Sequence, residues 1–233
     1  MTQSKKLRLV WDLPLRLFHW LLVIAICGAW YTSEQQGEMV ELHMQIGYFI
    51  LGLTLFRLIW GFFGTRYSKF SQFFPTPARL SNYFKSLKSS SNESYVGHNP
   101  IGSLMLLLMI FLILAQAISG LFINDDIFSS GPYYGTISAE MEKVMKLIHH
   151  NAFDFLLAAI ALHISAAFYY RLAKNQDLIT PMITGKKSAE EVKTEEAIPH
   201  SKLLVAIIMA ILVTGLVYWL VVINAPVEEE YFY

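Results

Sequence analysis

The stretch LIHHNAFDFLLAAIALHISAAFYYRL, residues 147–172, decides the reading of this chain. An α-helix needs about 20 predominantly apolar residues to cross a bilayer. This run supplies them, with Asp154 and Arg171 as its formal charges. Two of its histidines, His149 and His163, are 14 residues apart. At about 100° and 1.5 Å per residue, they lie about 40° apart around the axis and about 21 Å apart along it. One helix face can therefore present both rings. His150 is 13 residues from His163, about 140° away from a shared face. His149 is thus the better partner for His163 on that face.

Four further apolar stretches accompany this one: Leu13 to Tyr31, His43 to Phe63, Ile101 to Ile123, and Leu203 to Ile223. With the stretch just quoted, they predict an all-α transmembrane bundle of five helices. Composition agrees. Of 233 residues, 55% are apolar and 15% are charged, against about 25% charged in soluble domains. The first apolar run reads as a span and not as a cleaved leader, because it is long and lacks a small-residue cleavage site. The formal net charge is zero, so no global field favours nucleic acid. The partner that composition does imply is the lipid bilayer.

Lysine and arginine set the orientation. With the N-terminus inside, 16 of the 18 basic residues fall on the inner side, and only Lys143 and Lys146 fall outside. The positive-inside rule then predicts a cytoplasmic N-terminus and an extra-cytoplasmic C-terminus. The outer segments carry acidic residues, including Glu34, Glu38, Glu41, Asp125, Asp126, Glu140, Glu142 and the run Glu228 to Glu230. The connections contain turn formers at Pro75 to Pro77 and Gly131-Pro132, and Ser89 to Asn92 reads as mobile. The connection from Lys174 to Ser201 is charged and low in aromatics, which predicts partial disorder.

Histidines carry the chemistry. Ionisable residues inside spans are costly and mark function. His19 and His163 fall near the inner face, and His43 and His149 fall near the outer face. That depth match pairs His19 with His163 and His43 with His149, as two bis-imidazole sites. Imidazole suits iron, and two axial imidazoles leave no open position for oxygen chemistry. Any single histidine on an apolar helix is more often a packing residue; four at matched depths are not. A non-haem metal site would recruit carboxylates or cysteines nearby, and the spans offer only Asp154 and Cys27. With one cysteine and no Cys-x-x-Cys-His string, haem would be held non-covalently.

Several residues have weaker claims. Arg16, one turn from His19, and Arg57 could meet haem propionates or could be snorkelling topology determinants. His150 and Asp154 are four apart and face each other on one helix turn. They read as a mutually satisfied pair, with a proton relay near a quinone as the other possibility. His98, beside Asn99-Pro100, reads as a helix-entry residue, and His200 reads as solvated.

These residues also resemble a known family. Val10 to Trp20, with the sequence VWDLPLRLFHW, resembles the first-helix signature of the bacterial cytochrome b561 and nickel-iron hydrogenase cytochrome b subunit family. Further matches are His43 with Gly47-Tyr48, Arg57 to Gly64, Gly97 to Gly102, His149 with His163, and Met182 to Lys187. The resemblance covers roughly Leu9 to Lys187. It implies a di-haem membrane cytochrome b domain over residues 1–187, a charged cytoplasmic linker over 188–202, and an added helix with an acidic periplasmic tail over 203–233. It implies four haem ligands at His19, His43, His149 and His163, and hence two b haems. It further implies a multi-pass protein of the bacterial inner membrane that exchanges electrons with the quinone pool and a periplasmic redox partner. Trp11 to Pro14 looks more like members paired with small c-type cytochromes than like hydrogenase subunits.

Two departures from the family stand out. The fifth span, Leu203 to Ile223, lies beyond the family's four-helix core and contains no histidine, and His150 occupies a place where members often have glutamate. The resemblance implies an electron-transfer subunit more than a stand-alone enzyme. The alternatives are a self-contained quinone-linked oxidoreductase, such as a superoxide oxidase, and a haem-free membrane anchor or metal transporter. No sequence feature fixes the oligomeric state.

Overall fold

The structure is a computed structural model that describes residues 6–35, 37–88, 95–125 and 129–226. In chain order the elements are strand β1 (Leu7–Leu9), helices α1 (Leu13–Ser33), α2 (Glu38–Phe63), α3 (Phe70–Phe73), α4 (Pro77–Lys88), α5 (Pro100–Gly120), α6 (Ala139–Ala173) and α7 (Ile179–Thr184), strand β2 (Lys186–Ser188), and helix α8 (Leu203–Tyr218). Among the described residues, five helices are long and apolar enough to span a bilayer, and only 17% to 33% of each apolar window is buried. Most of their apolar surface therefore faces outward, which is stable only where the surroundings are lipid. The all-α transmembrane bundle expected from the sequence is the observed class. The helix ends differ from the expected ones. α2 begins at Glu38, and α6 reaches back to Ala139, with Glu140 and Glu142 in its first turn, where the helix dipole favours acids. The Ser89–Asn92 stretch, Asp126 and the Glu228–Glu230 run lie outside the described residues.

The helix packing divides into two compact units. One contains residues 1–20, 57–109 and 158–208; the other contains 21–56, 110–157 and 209–233. The first unit is organised around Asp12, which is 0% exposed. As N-cap of α1, its Oδ1 accepts the Leu15 amide at 2.8 Å, relieving one of the orphan donors of the first turn. Pro14 sits in that turn, where a missing N–H costs nothing. The same Oδ1 accepts the Trp60 indole N–H at 3.1 Å, and Oδ2 accepts the Thr65 hydroxyl at 2.5 Å and the Ser68 hydroxyl. One carboxylate thus joins the start of α1 to the end of α2 and the turn beyond it.

The connection after α6 corrects the expectation of partial disorder. β2 pairs antiparallel with β1, with Arg8 opposite Lys187. Ile198 N–H donates to the Leu9 carbonyl at 2.9 Å, and Tyr67 Oη donates to the Glu196 carbonyl at 2.9 Å. Arg8 donates to the Val192 carbonyl and to Thr194 Oγ1. Lys202 Nζ donates to the Phe63 and Gly64 carbonyls, satisfying orphan acceptors at the end of α2. The turn into β2 needs Gly185. Its φ is +82°, and an added Cβ would stand 2.7 Å from the Trp11 carbonyl oxygen. Its own carbonyl accepts the Val10 and Trp11 amides. β1 precedes the first span and β2 follows the fourth, so their pairing agrees with an even number of crossings between them.

In the second unit α8 continues as a π-helical turn, Trp219–Ile223. Tyr133 Oη donates to the Leu220 carbonyl at 2.9 Å, so the connection before α6 holds this fifth span. Asn99 caps α5 through the Gly102 amide at 2.7 Å, with Pro100 at the first helical position.

Replacing Asp12 by Ala should lower stability by about 3–5 kcal/mol, because it leaves four buried donors and the nearby Arg57 charge uncompensated. Asp12→Asn, which keeps the cap, should lose less. Thermal denaturation of the detergent-solubilised protein measures both.

Candidate functional site

Each unit contains one histidine pair. In the first, the His19 ring on α1 and the His163 ring on α6 have centroids 6.5 Å apart, tilted by 54°. In the second, His43 on α2 and His149 on α6 have centroids 6.3 Å apart, tilted by 77°. These are the two pairings expected from depth. His149 and His163 sit on one unbroken helix, α6.

Hydrogen bonds fix the tautomers of His43 and His149. His43 Nδ1 lies 2.9 Å from the Ala29 carbonyl oxygen, and His149 Nδ1 lies 2.9 Å from the Gln116 carbonyl oxygen. A carbonyl can only accept, so each Nδ1 carries the proton and donates it. The lone pair of each neutral ring is then left on Nε2. Two hydroxyls support the same nitrogens: Thr32 Oγ1 at 3.4 Å from His43 Nδ1, and Ser119 Oγ at 3.3 Å from His149 Nδ1. These are the outer-shell contacts that orient imidazole ligands on metals. The sequence reading missed Thr32 and Ser119. Their signal was a hydroxyl within an otherwise apolar span, near the depth of a histidine. His19 Nδ1 is sealed from solvent and has no partner among the described residues.

Glycines make room beside these rings. A Cβ on Gly120 would stand 3.0 Å from His149 Cε1, so only glycine lets that ring pack against α5 without a shift. Gly47 is one turn from His43, and a Cβ there would meet nothing within 4 Å. Two imidazoles on opposite sides of one iron, each bonded through a nitrogen about 2 Å from the metal, have centroids about 6 Å apart. Both pairs meet that spacing. With free Nε2 atoms and open space beside one ligand helix, the residues fit a porphyrin iron. Among the described residues, no cluster of three or more His, Cys, Asp or Glu side chains could hold a metal ion instead.

The remaining candidates divide. Arg57 is 0% exposed, which rules out a lipid-facing snorkel. It donates to the Ser68 carbonyl at 3.2 Å and lies over the Phe70 and Phe73 rings at 5.1 and 5.8 Å. Its Nε and Nη2 are buried without a hydrogen-bond partner among the described residues. Arg16 donates to the Ile183 carbonyl at 2.5 Å, and its Nε is likewise unpartnered. His98 precedes α5 and packs against Trp11 and Phe73, with ring centroids 4.9 Å away in each case. His200 is exposed, as expected. His150 and Asp154 are both exposed and, among the described residues, make no hydrogen bond to each other. The expectation of a mutually satisfied pair is corrected: the i,i+4 spacing puts the two residues on one helix turn, but their side chains are not hydrogen-bonded.

Comparison with known proteins agrees with this geometry. Residues 10–185 match the family described as prokaryotic cytochrome b561, and the chain belongs to that family. It is a multi-pass membrane cytochrome of the b type, which carries haem and transfers electrons. It is 21% identical over 209 residues to a probable Ni/Fe-hydrogenase B-type cytochrome subunit of Azotobacter chroococcum mcd 1, covering 76% of this chain and 86% of that one. Proteins of the same name from Cupriavidus necator and Azotobacter vinelandii are 20% and 22% identical over 225 and 214 residues. These alignments cover 81% and 76% of this chain, and 90% and 86% of the relatives.

Burial first, and then Arg57, His163 and Lys187, push the His98 pKa from the ordinary 6.5 down to about 3. The folded state therefore binds fewer protons there than the unfolded chain between those values, and stability should rise with pH across that window. The contribution is complete above pH 6.5 and lost towards pH 3. His98→Gln should flatten this acid limb, by at most about 1.4 kcal/mol per pH unit. Denaturation midpoints of the two proteins across that range test it.

Proposed function

We propose that this chain is a di-haem cytochrome b that conducts electrons between the quinone pool and a redox protein outside the cytoplasm. The supporting observation is the pair of facing imidazoles in each unit, at 6.5 and 6.3 Å. His19 and His163 hold one b haem, and His43 and His149 hold the other. Haem iron so ligated supplies one-electron redox chemistry without an open position for oxygen. The protein's own residues do the rest. The Ala29 and Gln116 carbonyls hold the outer rings in the tautomer that presents Nε2. Arg16 and Arg57, each with an unpartnered guanidinium nitrogen, are the cationic partners for propionates. The apolar helix faces exclude water, which lowers the reorganisation that electron transfer costs.

The di-haem domain spans residues 1–187, the connection 188–202 lies on the cytoplasmic side, and 203–233 adds a fifth helix. The basic-residue distribution supports a cytoplasmic N-terminus in the bacterial inner membrane. The names of the relatives support a hydrogenase-like partner, whereas the Trp11 to Pro14 motif favours a c-type cytochrome.

Purified protein should carry two haems per chain in a reduced-minus-oxidised spectrum. His19→Ala and His163→Ala should lose one and the same component, and His43→Ala and His149→Ala the other. Gly120→Val, which crowds His149, should weaken only the second. Losses that follow any other pairing, or a ratio of one, would refute the assignment.

A further inference from the structure

Buried nitrogens of Arg57 and His98 stand unanswered in the first unit. Arg57 is 0% exposed and spends Nη1 on the Ser68 carbonyl, at 3.2 Å. Its Nε and Nη2 are sealed from solvent with no partner among the described residues. These two nitrogens form the side-on edge of the guanidinium, whose parallel N–H groups match the two oxygens of a carboxylate. Asp12, the buried carboxylate of this unit, does not meet that edge. Its oxygens take the Leu15 amide, the Trp60 indole and the Thr65 and Ser68 hydroxyls.

His98 is the second observation. Its ring packs on Phe73 with centroids 4.9 Å apart, and the Arg57 guanidinium lies over the same Phe73 ring at 5.8 Å. Trp11 closes another side of the histidine at 4.9 Å. His98 Nδ1 is sealed from solvent and also lacks a partner among the described residues. The charges that bear on this ring come from Arg57, His163 and Lys187. None is a carboxylate, and His163 belongs to the pair with His19. A dry site with a guanidinium edge, an imidazole nitrogen and no acceptor is complementary to an anion with two oxygens.

We propose that His98 is a propionate-binding residue of the haem between His19 and His163, and that its Nδ1–H and the Nε/Nη2 edge of Arg57 hold one carboxylate together. The proposal rests on the di-haem reading. It adds a residue whose place in the sequence suggests only a helix entry. The consequence is electrostatic. An ionised propionate favours ferric iron, and each donor that offsets its charge raises the reduction potential. His98 is thus a positioning residue that tunes this haem without touching the iron.

Redox titration of the purified holoprotein, followed by visible absorbance, tests this with two variants. His98→Phe keeps a ring between Trp11 and Phe73 but loses the donor. His98→Gln loses the ring but keeps an N–H donor. The expected result is a several-fold shift of the reduction equilibrium towards ferric iron in His98→Phe, confined to the component that His19→Ala removes, with a smaller shift in His98→Gln. Loss of that one component from His98→Phe, with its retention in His98→Gln, supports the proposal equally. Infrared redox-difference spectra of protein loaded with 13C-carboxyl-labelled haem should show a propionate band that moves in His98→Phe. A packing role gives the opposite order, with His98→Phe like wild type. That order, equal effects in the two variants, an unmoved labelled band, or a shift as large in the His43–His149 component overturns the proposal while the di-haem reading stands. A wild type without two haems overturns both.

Discussion

A neutral imidazole has one nitrogen to offer a metal, and inside a membrane its other nitrogen must be satisfied by the protein. That constraint governs the second unit. The most abundant acceptors in a spanning helix are carbonyls, and those are normally committed to the helix itself. His43 and His149 solve the problem across helices, by donating to the carbonyls of Ala29 on α1 and Gln116 on α5. A carbonyl with two lone pairs can serve a helical N–H and an imidazole together. Four helices, α1, α2, α5 and α6, thereby meet at the pair, and the orientation of each ring becomes a property of backbone positions. Gly120 belongs to the same device, because a side chain there would push His149 off its acceptor.

The first unit is held in a different way. Around the His19 and His163 pair, the strong interactions belong to Asp12 and to the folded connection after α6. The Asp12 carboxylate gathers donors from α1, α2 and the turn at Thr65 to Ser68. Arg57 meets that cluster through the Ser68 carbonyl. An uncompensated charge in either place would be strongly destabilising, so the two ends of α1 and α2 are fixed relative to each other within this unit. That rigidity sets where His19 stands, seven residues beyond the cap.

Much of this was legible in the residues alone, for identifiable reasons. Spans follow from composition, because lipid demands long apolar helices. The alignment of His149 with His163 follows from helix geometry, since α6 is unbroken. The pairing followed from depth. Other features were hidden because they depend on partners distant in sequence. The connection from Lys174 to Ser201 looks disordered by its charge, yet its order comes from Arg8, Tyr67 and the ends of α2. Asp12 drew no separate reading, because its bonds to Trp60, Thr65 and Ser68 reach residues 48 to 56 positions away. His150 and Asp154 have the right spacing for a pair, but spacing fixes only the helix turn and not the rotamers.

The proposed function requires two haem sites, in which His19 with His163 and His43 with His149 would hold the iron. Low-temperature electron paramagnetic resonance of the oxidised protein tests that most directly. It predicts two low-spin ferric signals, both of bis-imidazole type and equal in spin count. A high-spin ferric signal in the intact protein, or a single low-spin signal accounting for all the iron, would contradict it.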